Sequence, residues 1–277
     1  MPLKKFTVSI LLVLIVKCTI SQSLSKETIL IETAFGSMKV KLFNETPLHK
    51  ANFLKLVNEH FYDSLLFHRI IEGFMIQGGD PYSKHADSFT LLGDSDLHYT
   101  IPAEFNKNLF HKKGMLCSAR NNDDVNPSKA SSSTQFYIVQ GKVRDDNELK
   151  IYEKRVNKNI ISKLKEKYLE KPENIELKNN INKFKDQKLQ DSLLFYNKKL
   201  DELILPEYEK SDKYTFPKEH QIVYKTIGGT PHLDNNYTIF GEVIEGLDVI
   251  DKIAGAKTNH DDRPLIDIRM KISLIKD

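Results

Sequence analysis

Between positions 67 and 81 the chain reads Phe67-His68-Arg69-Ile70-Ile71-Glu72-Gly73-Phe74-Met75-Ile76-Gln77-Gly78-Gly79-Asp80-Pro81. A guanidinium, two large apolar side chains and a carboxamide stand close together here. By residue type alone, an isolated Arg69 on a strand reads as a surface charge. Phe74 and Met75 are neighbours on a strand, so one of them can face the core. For His68, a local structural hydrogen bond is as good a reading as catalysis. Other chemistry is sparse. The two cysteines, Cys18 and Cys117, leave no Cys₄ or Cys₂His₂ zinc site. Cys117 lies in Gly114-Met115-Leu116-Cys117-Ser118-Ala119, a buried-strand pattern in which a small core residue is expected rather than a reactive thiol. His260-Asp261-Asp262-Arg263 could suggest a metal, but a solvated charged turn is the expected reading. No phosphate-binding loop is present.

The elements that carry these residues can be read from periodicity. Thr28 to Phe43 is a hairpin with its turn at Gly36-Ser37. Thr46-Pro47 opens a helix, with Thr as N-cap and Pro at the first helical position. Its apolar face is Leu48, Ala51, Phe53, Leu54 and Val57. Further strands are expected over Phe67–Gln77, Gly114–Ala119, Thr134–Gln140, Tyr237–Val243 and Ile266–Ile275, with a short helix over Glu245–Ile253. Short strands with two flanking helices predict a closed β-barrel capped by helices.

All 12 glycines lie at or before Gly141, or at or after Gly228. The glycine-free interval favours helix. One apolar stripe runs Leu149, Tyr152, Val156, Ile160, Leu164, Tyr168. A second runs from Leu177 through Leu203, with Pro172 between them and Pro206 stopping the second. An antiparallel helical hairpin is the simplest expectation. Over 145–218, 17 basic residues face 15 acidic ones, so the charges are solvated faces. The whole chain of 277 residues has a net charge of +3 and 40% hydrophobic residues. That excludes a disordered chain, and no basic stripe speaks for nucleic acid.

At the N-terminus, Lys4 and Lys5 precede the apolar run Phe6–Val16, which is too short to span a bilayer. A signal peptide over 1–21 is expected, cleaved after Ser21, with no stable membrane insertion afterwards. A lipid anchor at Cys18 is the lesser reading, because Lys17 before it fits a lipoprotein signal poorly. The expected localisation is extracytoplasmic, periplasmic or secreted.

The run Phe67–Pro81, together with Ser118-Ala119-Arg120, Thr134-Gln135-Phe136-Tyr137-Ile138, His232-Leu233-Asp234 and Tyr237-Thr238-Ile239-Phe240-Gly241, resembles the cyclophilin family of peptidyl-prolyl cis/trans isomerases. The resemblance covers about 28–144 and 220–277. It divides the chain into a signal peptide (1–21), a first cyclophilin-like part (28–144), a charged helical insert (145–219) and a second cyclophilin-like part (220–277). It implies a mainly β fold: a closed eight-stranded antiparallel barrel with two capping helices, from which the helical hairpin projects. It implies Arg69 as donor to the twisting amide and Gln77 as the residue that orients it. Phe74, Met75, Tyr137 and Leu233 match the proline pocket. Gln135 and the backbone of Ala119 and Arg120 match peptide contacts, and His232 and Tyr237 match the rim. The implied partners are proline-containing peptides and unfolded exported proteins, with no cofactor and no metal. The alternative is a proline-segment binding module or chaperone that works through the insert.

The implied chemistry is simple. Rotation about an X-Pro bond breaks amide resonance over a barrier of about 18–20 kcal/mol. The nitrogen pyramidalises and its lone pair becomes an acceptor. A donor held there stabilises the twisted state more than either planar state. The sequence also departs from the family. Tyr137 replaces Phe, placing a hydroxyl at the pocket edge. His232 replaces the Trp of the common eukaryotic type, so weak cyclosporin binding is expected. Tyr237 replaces its His. The loop Asp80–Leu97 has a single glycine, Gly93, where many relatives are glycine-rich.

Overall fold

The computed structural model describes residues 27–276. The expected signal peptide and Cys18 lie outside the described residues. The strands are β1 (Glu27–Thr33), β2 (Gly36–Leu42), β3 (Arg69–Ile71), β4 (Met75–Gly78), β5 (Thr100–Ile101), β6 (Met115–Ser118), β7 (Ser131–Ser132), β8 (Phe136–Val139), β9 (Ile239–Glu245) and β10 (Lys271–Lys276). Eight of them form one antiparallel sheet in the order β10-β1-β2-β9-β6-β8-β4-β3. β5 and β7 pair separately.

Alternation explains the sheet. Met38, Val40 and Leu42 are buried while Lys39 and Lys41 point outward. Directly opposed residues share a face, and two rows of them cross the sheet. Ile70, Ile76, Ile138 and Leu116 are opposed in turn and enter the main core. Arg69, Gln77, Tyr137 and Cys117 are opposed in the same way, one position along, and face the other side. One helix, α1 (Pro47–Asn58), covers the main core with Phe53, Leu56 and Val57. Another, α7 (Leu247–Ala254), covers it with Val249, Ile250 and Ile253.

Three expectations need correction. First, the barrel is not closed by strand pairing. β3 and β10 are edges, and the sheet curls as a half-barrel. Backbone bonds from Ser64, Phe67 and Met270 to Met270, Ile268 and Leu65 span the seam instead. Second, Thr46 does not cap α1; its hydroxyl has no partner. The Glu104 carboxylate, from a distant loop, accepts from the N–H groups of Leu48 (3.1 Å) and His49 (3.0 Å). Third, the fold is mixed α/β rather than mainly β, because the insert is no hairpin. It comprises α2 (Asp146–Val156), α3 (Lys158–Leu169), α4 (Ile175–Asp186) and α5 (Gln190–Lys210), and ends at the start of α6 (Lys218–Thr226), most of which lies in the part expected at 220–277. Pro206 lies inside α5 rather than ending it.

These helices separate into two groups. α3, α4 and α5 pack on one another as a distal bundle. α2 and α6 pack back onto the sheet domain, with α2 along the 3₁₀ turn Pro231–Leu233. A small core of Leu149, Phe216 and Tyr224, flanked by Phe110, Tyr152, Val156 and Tyr214, binds them there. The distal bundle leaves and returns through a neck. Asn157 donates to the Tyr214 carbonyl (2.8 Å) and accepts from the Tyr214 N–H (2.9 Å). At the root of the insert, Gly141 has φ +65°, and a Cβ there would stand 2.3 Å from Gly229. Only glycine allows the two chain segments to approach this closely.

Candidate functional site

A cleft of about 380 Å³ opens on the sheet face opposite the main core, lined by Arg69, Phe74, Met75, Gln77, Ala119, Arg120, Tyr137, Leu233 and Tyr237, with the loop segment Leu92–Asp94 and Asn121–Asn122. Strand register builds it. Arg69 and Gln77 are directly opposed in β3 and β4, and Gln77 is opposed to Tyr137 in β8. Phe74 sits in the turn before β4, so strand alternation does not apply to it. Phe74 and Met75 both belong to the apolar cluster under the cleft, which also holds Cys117, Tyr137, Ile239, Leu233 and Tyr237.

Arg69 is half-exposed at the mouth, with its guanidinium held from two sides. Nη1 reaches Oε1 of Gln77 at 3.5 Å, and Nε reaches Oδ2 of Asp262 at 3.4 Å. Gln77 is itself oriented. It donates to Gln135 Oε1 (3.1 Å), and Gln135 donates to the carbonyls of Gly93 (2.9 Å) and Ser95 (2.7 Å). Each amide has an assigned direction, so the chain of donors leaves the Gln77 oxygen facing the guanidinium. Gln135 lines the adjoining cleft with Gly93–Asp96 rather than the apolar one.

The remaining sequence-predicted residues divide. The Ala119 N–H and C=O are taken up by Gln135 and Ser132. Those of Arg120 have no backbone partner among the described residues, so Arg120 presents the open backbone. Its side chain is locked by the Asn236 carbonyl (2.7 Å), Asp123 (2.8 Å) and the Tyr237 ring (4.5 Å to its centroid). His232 is not simply at the rim. Its ring stacks on Phe74 (5.6 Å) and meets the tilted ring of Tyr152 of α2 (5.2 Å), and it faces the neighbouring groove with Arg120 and Arg155. The Tyr137 hydroxyl is not at the pocket edge either. It points inward to Nε2 of His111 at 3.0 Å. Cys117 is buried, and burial pushes its thiol well up, as expected of a core residue.

Sequence reasoning missed Asp262, His111 and Tyr152. Only position could have flagged Asp262: it lies in the turn read as solvated. That turn is not wholly solvated. Arg263 is buried and donates to the carbonyls of Asp87 (2.7 Å) and Thr90 (3.0 Å), tying down the loop after Pro81. Among the described residues, no cluster of three or more His, Cys, Asp or Glu could hold a metal ion, and no helix is long and apolar enough to cross a membrane.

Two histidines at the site titrate low. Burial holds His68 at about 4, with neither ring nitrogen partnered by the protein. Burial first, then the charges of His111, Arg155 and Arg144, hold His232 at about 4. Burial lowers His49 and His220 as well. These folded values lie below the ordinary 6.5, so the unfolded chain takes up protons first as pH falls. Their contribution to stability is present above about pH 6.5 and declines toward pH 4. For His68 the loss from pH 7 to pH 5 is about 2 kcal/mol. Urea unfolding at the two pH values should show at least that loss, and His68→Leu should flatten the slope. Equal stability at both would contradict the buried, neutral rings.

Comparison with known proteins places the chain in a family. The family model "Cyclophilin type peptidyl-prolyl cis-trans isomerase/CLD" matches residues 28–193 and 203–273. A Streptococcus pyogenes protein named "Putative bifunctional phosphatase/peptidyl-prolyl cis-trans isomerase" is 29% identical over 241 residues, 86% of this chain. The chain spans only 36% of that protein's length. A Staphylococcus aureus protein named "Putative peptidyl-prolyl cis-trans isomerase" is 27% identical over 241 residues, 87% of each chain. Among solved structures, a Cryptosporidium parvum cyclophilin type peptidyl-prolyl cis-trans isomerase shares the fold, with a TM-score of 0.51 and 18% identity, covering 91% of this chain and 98% of that one. With the family match extending over most of its length, the chain belongs to the cyclophilin type peptidyl-prolyl cis-trans isomerases.

Proposed function

We propose that the chain accelerates X-Pro rotation in exported proteins, in an extracytoplasmic compartment, with Arg69 stabilising the twisted amide. The observation that carries this reading is a guanidinium oriented by Gln77 and Asp262 at the mouth of an apolar cleft. The proline ring enters between Phe74, Met75, Tyr137 and Leu233. The residue before proline lies along the open Arg120 backbone. Nη atoms of Arg69 not used by Gln77 face the amide nitrogen as it pyramidalises, which is when its lone pair becomes an acceptor. The planar states offer no such acceptor, so the interaction favours the twisted state. No proton moves and no bond breaks. Export rests on the N-terminal sequence pattern alone.

The test is an isomerisation assay on an Xaa-Pro tetrapeptide, using the chain from residue 22 onward. Catalysis well above the spontaneous rate and unchanged by chelator is expected. Cyclosporin should inhibit weakly, because His232 is held between Phe74 and Tyr152 and offers less apolar contact than a Trp. A folded chain that binds the peptide without accelerating rotation would support the binding-module reading. That second reading has its own observation: Leu194 and Phe195 on α5 are 71% and 63% exposed, an apolar surface that isomerase chemistry does not need.

A further inference from the structure

The Tyr137 hydroxyl is the inner end of a buried chain that leads to α6, where the insert rejoins the sheet domain. Tyr224 of α6 donates to Asp234 Oδ2 at 2.8 Å. Asp234 Oδ1 accepts from the His111 backbone N–H (2.9 Å) and lies 2.8 Å from His111 Nδ1. His111 Nε2 lies 3.0 Å from the Tyr137 hydroxyl. Tyr224 and His111 are both 0% exposed, Asp234 is 2% exposed and Tyr137 4%.

The donor and acceptor roles follow from one end. A carboxylate only accepts, so Nδ1 carries the proton toward Asp234. Nε2 and the Tyr137 hydroxyl share the next hydrogen bond of the chain, at 3.0 Å. Burial pushes both tyrosine hydroxyls well up, so both stay protonated donors. The Tyr137 hydroxyl also meets the Cys117 thiol, and the Tyr224 hydroxyl the His111 backbone, so both ends of the chain are held among buried polar groups. The Tyr137 ring forms the floor of the cleft, and this hydroxyl sets the ring's depth and tilt. A phenylalanine there would have no such anchor.

We infer that α6, the helix at which the insert rejoins the sheet domain, positions the floor of the proline cleft through Tyr224, Asp234 and His111, acting on Tyr137. This rests on the isomerase reading above, but it concerns how the cleft is held rather than whether it catalyses. Tyr224 and His111 are positioning residues; neither lines the cleft. The Tyr137 ring contacts proline alike in planar and twisted states, so loosening it weakens uniform binding. KM then rises while kcat holds.

The experiment is a double-mutant cycle on the full chain, using Tyr224→Phe and Tyr137→Phe, with the tetrapeptide assay. Tyr224→Phe keeps the ring in the small core and removes only the hydroxyl. It should raise KM about 3–10-fold, with kcat within about twofold. In the Tyr137→Phe background, the same change should alter KM by less than about 1.5-fold, because the anchor it supports is gone. Residues with no shared contact would instead add. A second readout needs no substrate: the ¹⁵N shifts of the His111 ring should move in Tyr224→Phe. An equal KM effect in both backgrounds overturns the inference, as does a folded Tyr224→Phe with unchanged KM and unchanged ring shifts. If Tyr224→Phe does not fold, Asp234→Asn enters the same cycle. If the wild-type chain shows no isomerase activity, the functional reading fails, and the His111 shifts alone decide whether the chain of bonds holds.

Discussion

Arg69→Ala will lower kcat/KM for an Xaa-Pro peptide by roughly 10²–10³-fold, the usual effect of removing one preorganised donor to a transition state. The variant should remain folded. The Arg69 side chain is 41% exposed, and its partners Gln77 and Asp262 each keep access to solvent or to other bonds. The loss should therefore appear in turnover and not in the melting temperature. Arg69→Lys is the informative companion. Lysine keeps the charge but loses the planar fork that bonds Gln77 with one N–H while aiming another at the amide. Most of the loss should persist, which separates a directed donor from a general positive field. Wild-type turnover in a folded Arg69→Ala variant would remove the proposed role.

Much of this site is legible in the sequence because it is local. Arg69, Phe74, Met75 and Gln77 lie within nine residues, and the resemblance of that run to the cyclophilin family marks them together, although periodicity reads Phe67–Gln77 as one strand where the chain makes two short strands and a turn. The main core is legible for the same reason: Ile29, Ile31, Met38, Val40 and Leu42 alternate. What the sequence hides are partnerships across long separations. Asp262 reaches Arg69, Glu104 caps α1, and Asp234 holds His111 from 123 residues away. None has a local pattern. Thr46 shows the converse: its type suits a cap, but its backbone at φ −127° and ψ 66° leaves Glu104 to do the capping. The insert departs from its sequence pattern at its breaks. The stripe from Leu149 to Tyr168 is continuous in sequence, yet the chain bends at Asn157, whose side chain is claimed by Tyr214. The second stripe breaks at Lys188, which takes φ +54°, a conformation that lysine does not advertise.

Those breaks determine what can be cut. The distal bundle, residues 158–213, leaves and returns at the neck of Asn157 and Tyr214, whose atoms are already within hydrogen-bond distance. Replacing it with a short Gly/Ser bridge should leave a folded protein whose tetrapeptide kcat/KM stays within about threefold of wild type. If the distal bundle serves folding clients, action on a slow-folding, proline-limited protein should fall more. Removing 145–218 is a different operation. It deletes Leu149 and Phe216, each 3% exposed, and uncovers Tyr224, which is fully buried against them. Burying such side chains contributes about 1.5–3 kcal/mol each. The three together approach the whole stability of an ordinary domain, about 5–15 kcal/mol. The cut also strips Tyr152 from His232 and so frees the ring that backs Phe74. This larger deletion should unfold the chain, or leave it with a weakened cleft and a KM raised well beyond that of the smaller one. A projecting appendage would tolerate both cuts alike. Full peptide turnover after removal of 145–218 would show that α2 and the core it shares with α6 are not part of the cleft's support, whereas loss of turnover on removing only 158–213 from a folded chain would place the distal bundle inside the catalytic unit.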